Sequence, residues 1–172
     1  MTTGISATTQ DGIVYGPAYC TVNGTTLGAL TGDCPFEMST EEFYPDFSEA
    51  YGPVAGTGKV VAGSGKITVT MTEWTYSVLS TLFSMGASST ADSQKLGSGT
   101  LGTITELTNV IILGFTKNNG KDMRVTIPKA RVTSPLASTV QKGENSTLEV
   151  TFESLVTGGA PKTMPMWIEI EI

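Results

Sequence analysis

The side chains that carry most enzyme chemistry are sparse in this chain of 172 residues, and histidine is missing altogether. Its absence removes the Ser-His-Asp and Cys-His arrangements, the commonest zinc ligand and the ordinary general base near neutral pH. Two cysteines, Cys20 and Cys34, without a histidine exclude a structural zinc site. They can pair with each other, but two in a chain of this size are no disulfide framework. Gly97-Ser98-Gly99-Thr100-Leu101-Gly102 matches G-x-G-x-x-G. A dinucleotide site needs that loop directly after a strand and opening a helix. Here the polar stretch Ser88–Lys95 precedes it and the strand-like run Leu107–Phe115 follows, so the match reads as chance in a glycine-rich loop. Gly63-Ser64-Gly65-Lys66 hints at a phosphate loop, but Val60 stands where the first glycine belongs and Ile67 where the hydroxyl residue belongs.

Carboxylates remain. Glu149 and Glu153 lie four apart on one face of a strand pattern with Thr151 between them, too far apart in register to work as a facing pair. Glu41 and Glu42 fall in a long connection, and no D-x-D-x-D-G calcium loop is present. The expectation is a protein without catalytic residues, bound metal or cofactor: not an enzyme.

The charge is unevenly placed. From Met1 to Gly58 there is no Lys or Arg, while Asp11, Asp33, Glu37, Glu41, Glu42, Asp46 and Glu49 are all acidic. The remainder holds nine acids and ten bases within an overall net charge of −6. Such an acidic segment repels phosphate and argues against nucleic-acid binding by counterion release. It is compatible with a surface past which DNA slides without sticking.

A chain of this length buries about 70% of the surface its unfolded form exposes, so one domain can fold without disulfide or metal. Serine and threonine make up about a quarter of it, and charged residues only 15%. Both features suit strands and turns better than long surface helices. MTTGISATTQ lacks the basic start and apolar run of a signal peptide, and no segment approaches the ~20 apolar residues of a membrane span. The chain therefore reads as cytosolic with reduced thiols.

Residues 1–12 read as a flexible arm, and residues 13–172 as a single domain. Val14 to Val22 leads into Asn23-Gly24, a strong hairpin turn signal. Leu27–Leu30 and Phe36–Met38 read as short strands. From Thr40 to Ser64 the acids Glu41, Glu42, Asp46 and Glu49 interleave with Phe43, Tyr44, Phe47 and Tyr51. Residues 40–64 exceed an ordinary connection of about 4–6 residues, and a loop with that composition is usually an interaction element or mobile.

Lys66–Thr72 alternates, with Ile67, Val69 and Met71 on one face. Trp74, Val78, Leu79, Leu82 and Phe83 then fall at helical spacing, which predicts one helix over about residues 73–85, capped by Thr72 and Gly86, with the apolar stripe on the sheet. Ala87–Thr103 reads as an exposed polar loop. Leu107–Phe115 and Met123–Val132 form a hairpin across Asn118-Asn119-Gly120. Thr147–Leu155 points Leu148, Val150 and Phe152 one way and Thr147, Glu149, Thr151 and Glu153 the other. Met166–Ile172 alternates to the last residue, with Trp167, Glu169 and Glu171 opposite Ile168, Ile170 and Ile172, and needs a partner or becomes an exposed edge. The sum is about eight mostly antiparallel strands and one helix: a mainly β, two-sheet sandwich or barrel-like domain with a flanking helix.

The order of features is more specific than any one of them. Asn23-Gly24-Thr25-Thr26-Leu27-Gly28 leads to the acidic-aromatic segment Asp46–Tyr51 and Gly52-Pro53-Val54. Then come Lys66–Thr72, Glu73, a W-x-x-x-V-L-x-x-L-F helix pattern ending in Met85-Gly86, and Val150-Thr151-Phe152-Glu153-Ser154-Leu155. Over roughly Tyr19 to Val156 this resembles the major tail tube proteins of long-tailed, non-contractile bacteriophages.

The resemblance implies a β-sandwich with a flanking helix that forms hexameric rings, stacked into a hollow tube through which double-stranded DNA passes without specific binding. One sheet of each subunit would join its neighbours' sheets around the channel. The loop 40–64, with Glu41, Glu42, Phe43, Tyr44, Asp46, Phe47, Glu49 and Tyr51, would contact the adjacent ring. The N-terminal arm and the C-terminal strand would bridge further. Asp33, Glu37, Glu149 and Glu153 are candidates for an acidic lumen. The implied partners are further copies of the chain and the tape-measure, tail-terminator and distal tail proteins. The implied place is the virion tail, assembled in the host cytoplasm. Two departures stand out: the Ala87–Thr103 stretch is longer than the family needs, and no additional immunoglobulin-like domain follows. The same fold also serves contractile-tail and secretion-system tubes. A carbohydrate-binding β-sandwich module is the main reading from another class, and a capsid decoration protein a third.

Overall fold

The computed structural model describes residues 14–46, 52–83, 87–90, 93–97, 106–107, 111–117, 119–139, 142–156 and 164–171. The expected N-terminal arm 1–12 lies outside them. Two antiparallel sheets face each other across one core.

The first sheet contains β1 (Val14–Val22), β2 (Thr25–Thr26), β7 (Ile111–Lys117), β8 (Asp122–Ile127) and β12 (Trp167–Ile170), in the order β12-β8-β7-β1-β2. Asn23 and Gly24 take φ of 53° and 76° between β1 and β2, the left-handed pair that a two-residue type I′ turn demands. The second sheet contains β3 (Phe36–Phe43), β4 (Lys59–Met71), β9 (Ala130–Val132), β10 (Ser138–Thr139) and β11 (Thr147–Ser154). Its order is β10-β11-β4-β3, with β9 also on β11.

The period-2 patterns are what the core is made of. Ile67, Val69 and Met71 of β4 and Leu148, Val150 and Phe152 of β11 are all 0% exposed. From the other sheet Cys20, Ile111, Leu113, Val125 and Ile127 meet them, also fully buried. Burying each such side chain stabilises by about 1.5–3 kcal/mol, enough to fix the register of both sheets.

The structure departs from expectation at several points. The helix α1 is Tyr76–Leu82 rather than 73–85. Its N-cap is Thr75, not Thr72: the Thr75 hydroxyl accepts from Val78 N at 3.4 Å, while the Thr72 hydroxyl donates to Ala29 O at 3.2 Å. Leu79, Leu82 and Phe83 are buried as the stripe requires, but Trp74 precedes the helix and stays 37% exposed. Gly86 lies outside the described residues.

Met123–Val132 is two strands in different sheets, β8 and β9. Pro128 stands between them, and without an N–H it cannot continue a central ladder. In the expected strand Leu27–Leu30, only Leu30 makes a bridge, to Met71. Within the stretch expected as an exposed polar loop, β5 (Ala87–Ser89) and β6 (Gln94–Leu96) pair as a small antiparallel hairpin.

Candidate functional site: a projecting hairpin and the open faces beside it

Much of residues 40–64, expected as a loop, is a two-stranded ribbon. β3 and β4 pair from Phe36↔Ile67 outward through Glu37↔Lys66, Met38↔Gly65, Ser39↔Ser64, Thr40↔Gly63 and Glu41↔Ala62. After a bulge they continue with Glu42↔Val60 and Phe43↔Lys59. On the other flank of β4, β11 pairs only as far as Glu153↔Lys66. Beyond that point the ribbon leaves the sandwich. All eight residues of β3 are exposed, whereas the inner end of β4 reaches the core.

A two-stranded ribbon is marginal on its own in water, and this one displays large apolar side chains. Met38 is 46% exposed, Phe43 56%, Tyr44 42% and Val60 59%. At the tip the Tyr44 ring lies against Gly58, and its hydroxyl donates to Glu42 Oε2 at 2.9 Å. That bond, and the charge of Glu42, raise the Tyr44 pKa. Glu41, Glu42 and Asp46 are exposed. The structure thus brings Glu41, Glu42, Phe43 and Tyr44 together on one projecting element. Phe47, Glu49 and Tyr51 lie outside the described residues.

The outward face of the second sheet collects three of the four acids proposed for a lumen. Register aligns Glu37 of β3, Lys66 of β4, Glu153 of β11 and Arg131 of β9 in one row across the sheet. Arg131 Nη2 donates to Glu153 Oε2 at 2.8 Å, both side chains being about two-fifths exposed. Glu149 lies further along the same face, opposite Thr70. Thr68 and Thr151 bridge through their hydroxyls at 3.1 Å between them. Asp33 is exposed but precedes β3 and belongs to no strand. The face is therefore polar and mixed in sign rather than uniformly acidic.

One further feature was missed from sequence. On the outward face of the first sheet, Tyr19, Gly114, Arg124 and Glu169 form a row across β1, β7, β8 and β12. The Tyr19 ring lies over Gly114, and its oxygen favours the charged form of Arg124, which also meets Asp122 at 3.5 Å. Asp122, Arg124, Glu169, Ile170 and Glu171 line a shallow recess of about 260 Å³ there. The terminal strand expected over Met166–Ile172 is the edge strand β12, paired on one side with β8, and its four residues are all exposed. Trp167 and Glu169 share one face as the alternation required, and Ile168 and Ile170 stand on the other, 38% and 54% exposed. Ile172 lies outside the described residues.

Neither thiol is poised for chemistry. Burial pushes Cys20 up to about 12, and burial also raises Cys34. Both are free and buried. Among the described residues no three His, Cys, Asp or Glu side chains are grouped to hold a metal ion. Among them, too, no helix is long and apolar enough to cross a membrane.

Among the described residues, these features define a two-sheet antiparallel β domain with one helix and one projecting arm. Comparison with protein-family models and with curated proteins finds no match to this chain.

Proposed function

We propose that the chain is a tube-forming structural protein, the tail tube subunit of a non-contractile phage or phage-like particle. Copies join laterally into rings (six per ring is the number the family resemblance implies), and the rings stack into a hollow tube that passes DNA. The observation that carries this reading is the ribbon. It exposes all of β3 and ends in Phe43 and Tyr44, an arrangement that gains stability only when another surface covers it. Aromatic anchors of this kind dominate interface energies. The polar outward face bearing Glu37, Glu149 and Glu153 is the face assigned to the channel. Its Arg131–Glu153 pairing and its threonines suit a wall that neither binds nor strongly repels phosphate.

The test removes the arm and spares the body. Replacing residues 41–62 with an Asn-Gly turn between Thr40 and Gly63, which already pair, leaves the core intact. The variant is expected to fold, with a cooperative urea transition, and to form no stacks by sedimentation. Stacks of normal length from this variant would remove the ribbon from the assembly.

A second reading, a carbohydrate-binding module, has one observation in its favour. Trp167, 45% exposed, shares the outward face of the first sheet with the flat-lying Tyr19 and the Arg124–Asp122 pair. Retarded migration in gels containing soluble polysaccharide, abolished by Trp167→Ala, would favour that reading over the tube.

A further inference from the structure

The ribbon and β12 both expose large apolar side chains, and one short segment touches the base of the first and starts the second. Outward of Lys66 the pairings of β4 are with β3, while β11 ends at Ser154, whose hydroxyl accepts from Gly65 N at 2.7 Å. Against the inner face of this stretch lies Met164-Pro165-Met166. A Cβ at Gly63 would stand 2.5 Å from Met164 Sδ and 3.3 Å from Pro165 Cδ. A Cβ at Gly65 would stand 2.5 Å from both Cβ and Sδ of Met166. Two glycines one strand period apart therefore make a slot, and two methionines at the same spacing fill it.

Met166 is 0% exposed, and the next residue, Trp167, begins β12. That strand is held by its ladder to β8 from Trp167↔Thr126 to Ile170↔Met123, with Glu171 N donating to Asp122 O just beyond. Its isoleucines remain open. The buried side chain that anchors the start of β12 is thus the one that seals the base of the ribbon.

We infer that the Met164–Met166 strap is a coupling device between the ribbon and the terminal edge strand. Interiors are close-packed and do not deform continuously, so Met166 is either seated in the slot or out of it. When it is seated, both the base of the ribbon and the start of β12 are fixed. When it leaves, both loosen. A contact that orders one element must then order the other, and by thermodynamic reciprocity the effect runs equally in both directions. One consequence rests on the proposed function: lateral joining and stacking of subunits become cooperative rather than independent.

Hydrogen exchange on the unassembled full-length chain tests the coupling. In Gly65→Ala the new methyl meets Met166 Cβ, which moves only with its backbone. Amides of β4 outward of Gly65 and those at 167–170 should both exchange faster, by at least about tenfold. Those in the β7–β8 ladder should hold their rates. Gly63→Ala meets chiefly the flexible end of Met164 and should change exchange far less. Met166→Ala, which empties the slot instead of crowding it, should reproduce the paired response if Gly65→Ala does not fold.

Faster exchange in the ribbon with 167–170 unchanged would overturn the inference, as would a uniform rise across the chain. The outcome separates from that of the tube reading. A chain that never assembles but shows the paired response keeps the coupling and loses the tube. A chain that forms tubes without the paired response loses only the coupling.

Discussion

Gly114 lies under the Tyr19 ring in the middle of the first sheet, and Gly114→Ala gives the cleanest test of how that face is built. A methyl there would stand 2.5 Å from Tyr19 Cε1 and Cζ and 2.9 Å from the hydroxyl oxygen. The ring is rigid, so it must lift or swing away from Arg124. Crowding of this kind costs about 1–3 kcal/mol, and replacing a strand glycine by alanine returns about 0.5–1 kcal/mol. The expected net loss is about 1–2 kcal/mol, or a fall in Tm of about 2–8 °C at this chain length. Urea and thermal unfolding of four proteins, wild type, Gly114→Ala, Tyr19→Ala and the double variant, complete a mutant cycle. In the Tyr19→Ala background the methyl has nothing to meet, so Gly114→Ala should become neutral or stabilise by about 0.5–1 kcal/mol. An equal loss in both backgrounds would refute the reasoning, because the cost would then come from the backbone and not from the ring.

Other expectations follow from single contacts. Thr75→Ala should lower stability by about 1 kcal/mol through loss of the α1 cap, while Thr72→Ala should leave helix content unchanged by circular dichroism, since its hydroxyl serves Ala29 O. Phe152→Ala, at a fully buried site, should cost about 3–5 kcal/mol in urea unfolding. Arg131→Ala should cost under about 1 kcal/mol, and less at high salt, because the pair with Glu153 is about two-fifths exposed. For Cys20 the folded-state pKa of about 12 lies above its ordinary 9.0. Its contribution is complete below pH 9 and is lost as pH rises toward 12, so the alkaline slope of stability in chemical denaturation should be shallower in Cys20→Ala.

What could be read in advance followed local periodicity. Ile67, Val69, Met71, Leu148, Val150 and Phe152 announce buried faces because a strand has period 2, and all six are fully buried. The Asn23-Gly24 turn was equally plain, since two adjacent left-handed residues suit few other pairs. The helix start was obscured by two threonines, Thr72 and Thr75, each fit to cap; a distant carbonyl, Ala29 O, occupies the first. The break at Pro128 was visible as a residue, but nothing local says that the chain changes sheets there.

The ribbon was hidden by its composition. β3 carries three glutamates and the outer part of β4 two glycines, residues depleted in strands. Pairing between them overrides that propensity. The spacing of Glu149 and Glu153 placed them on one face, whereas their alignment with Glu37 depends on a register spanning three strands. The Met164–Met166 strap depends on contacts some hundred residues apart in sequence, and its only local sign is the matched G-x-G and M-x-M spacing.

The central claim is self-association into a tube, and negative-stain electron microscopy of the full-length chain, taken to high concentration, tests it most directly. The account predicts rings, or tubes one ring wide and of constant diameter, whose number grows with concentration. A monodisperse monomer at every concentration, whether alone or seeded with preformed fragments, would contradict it.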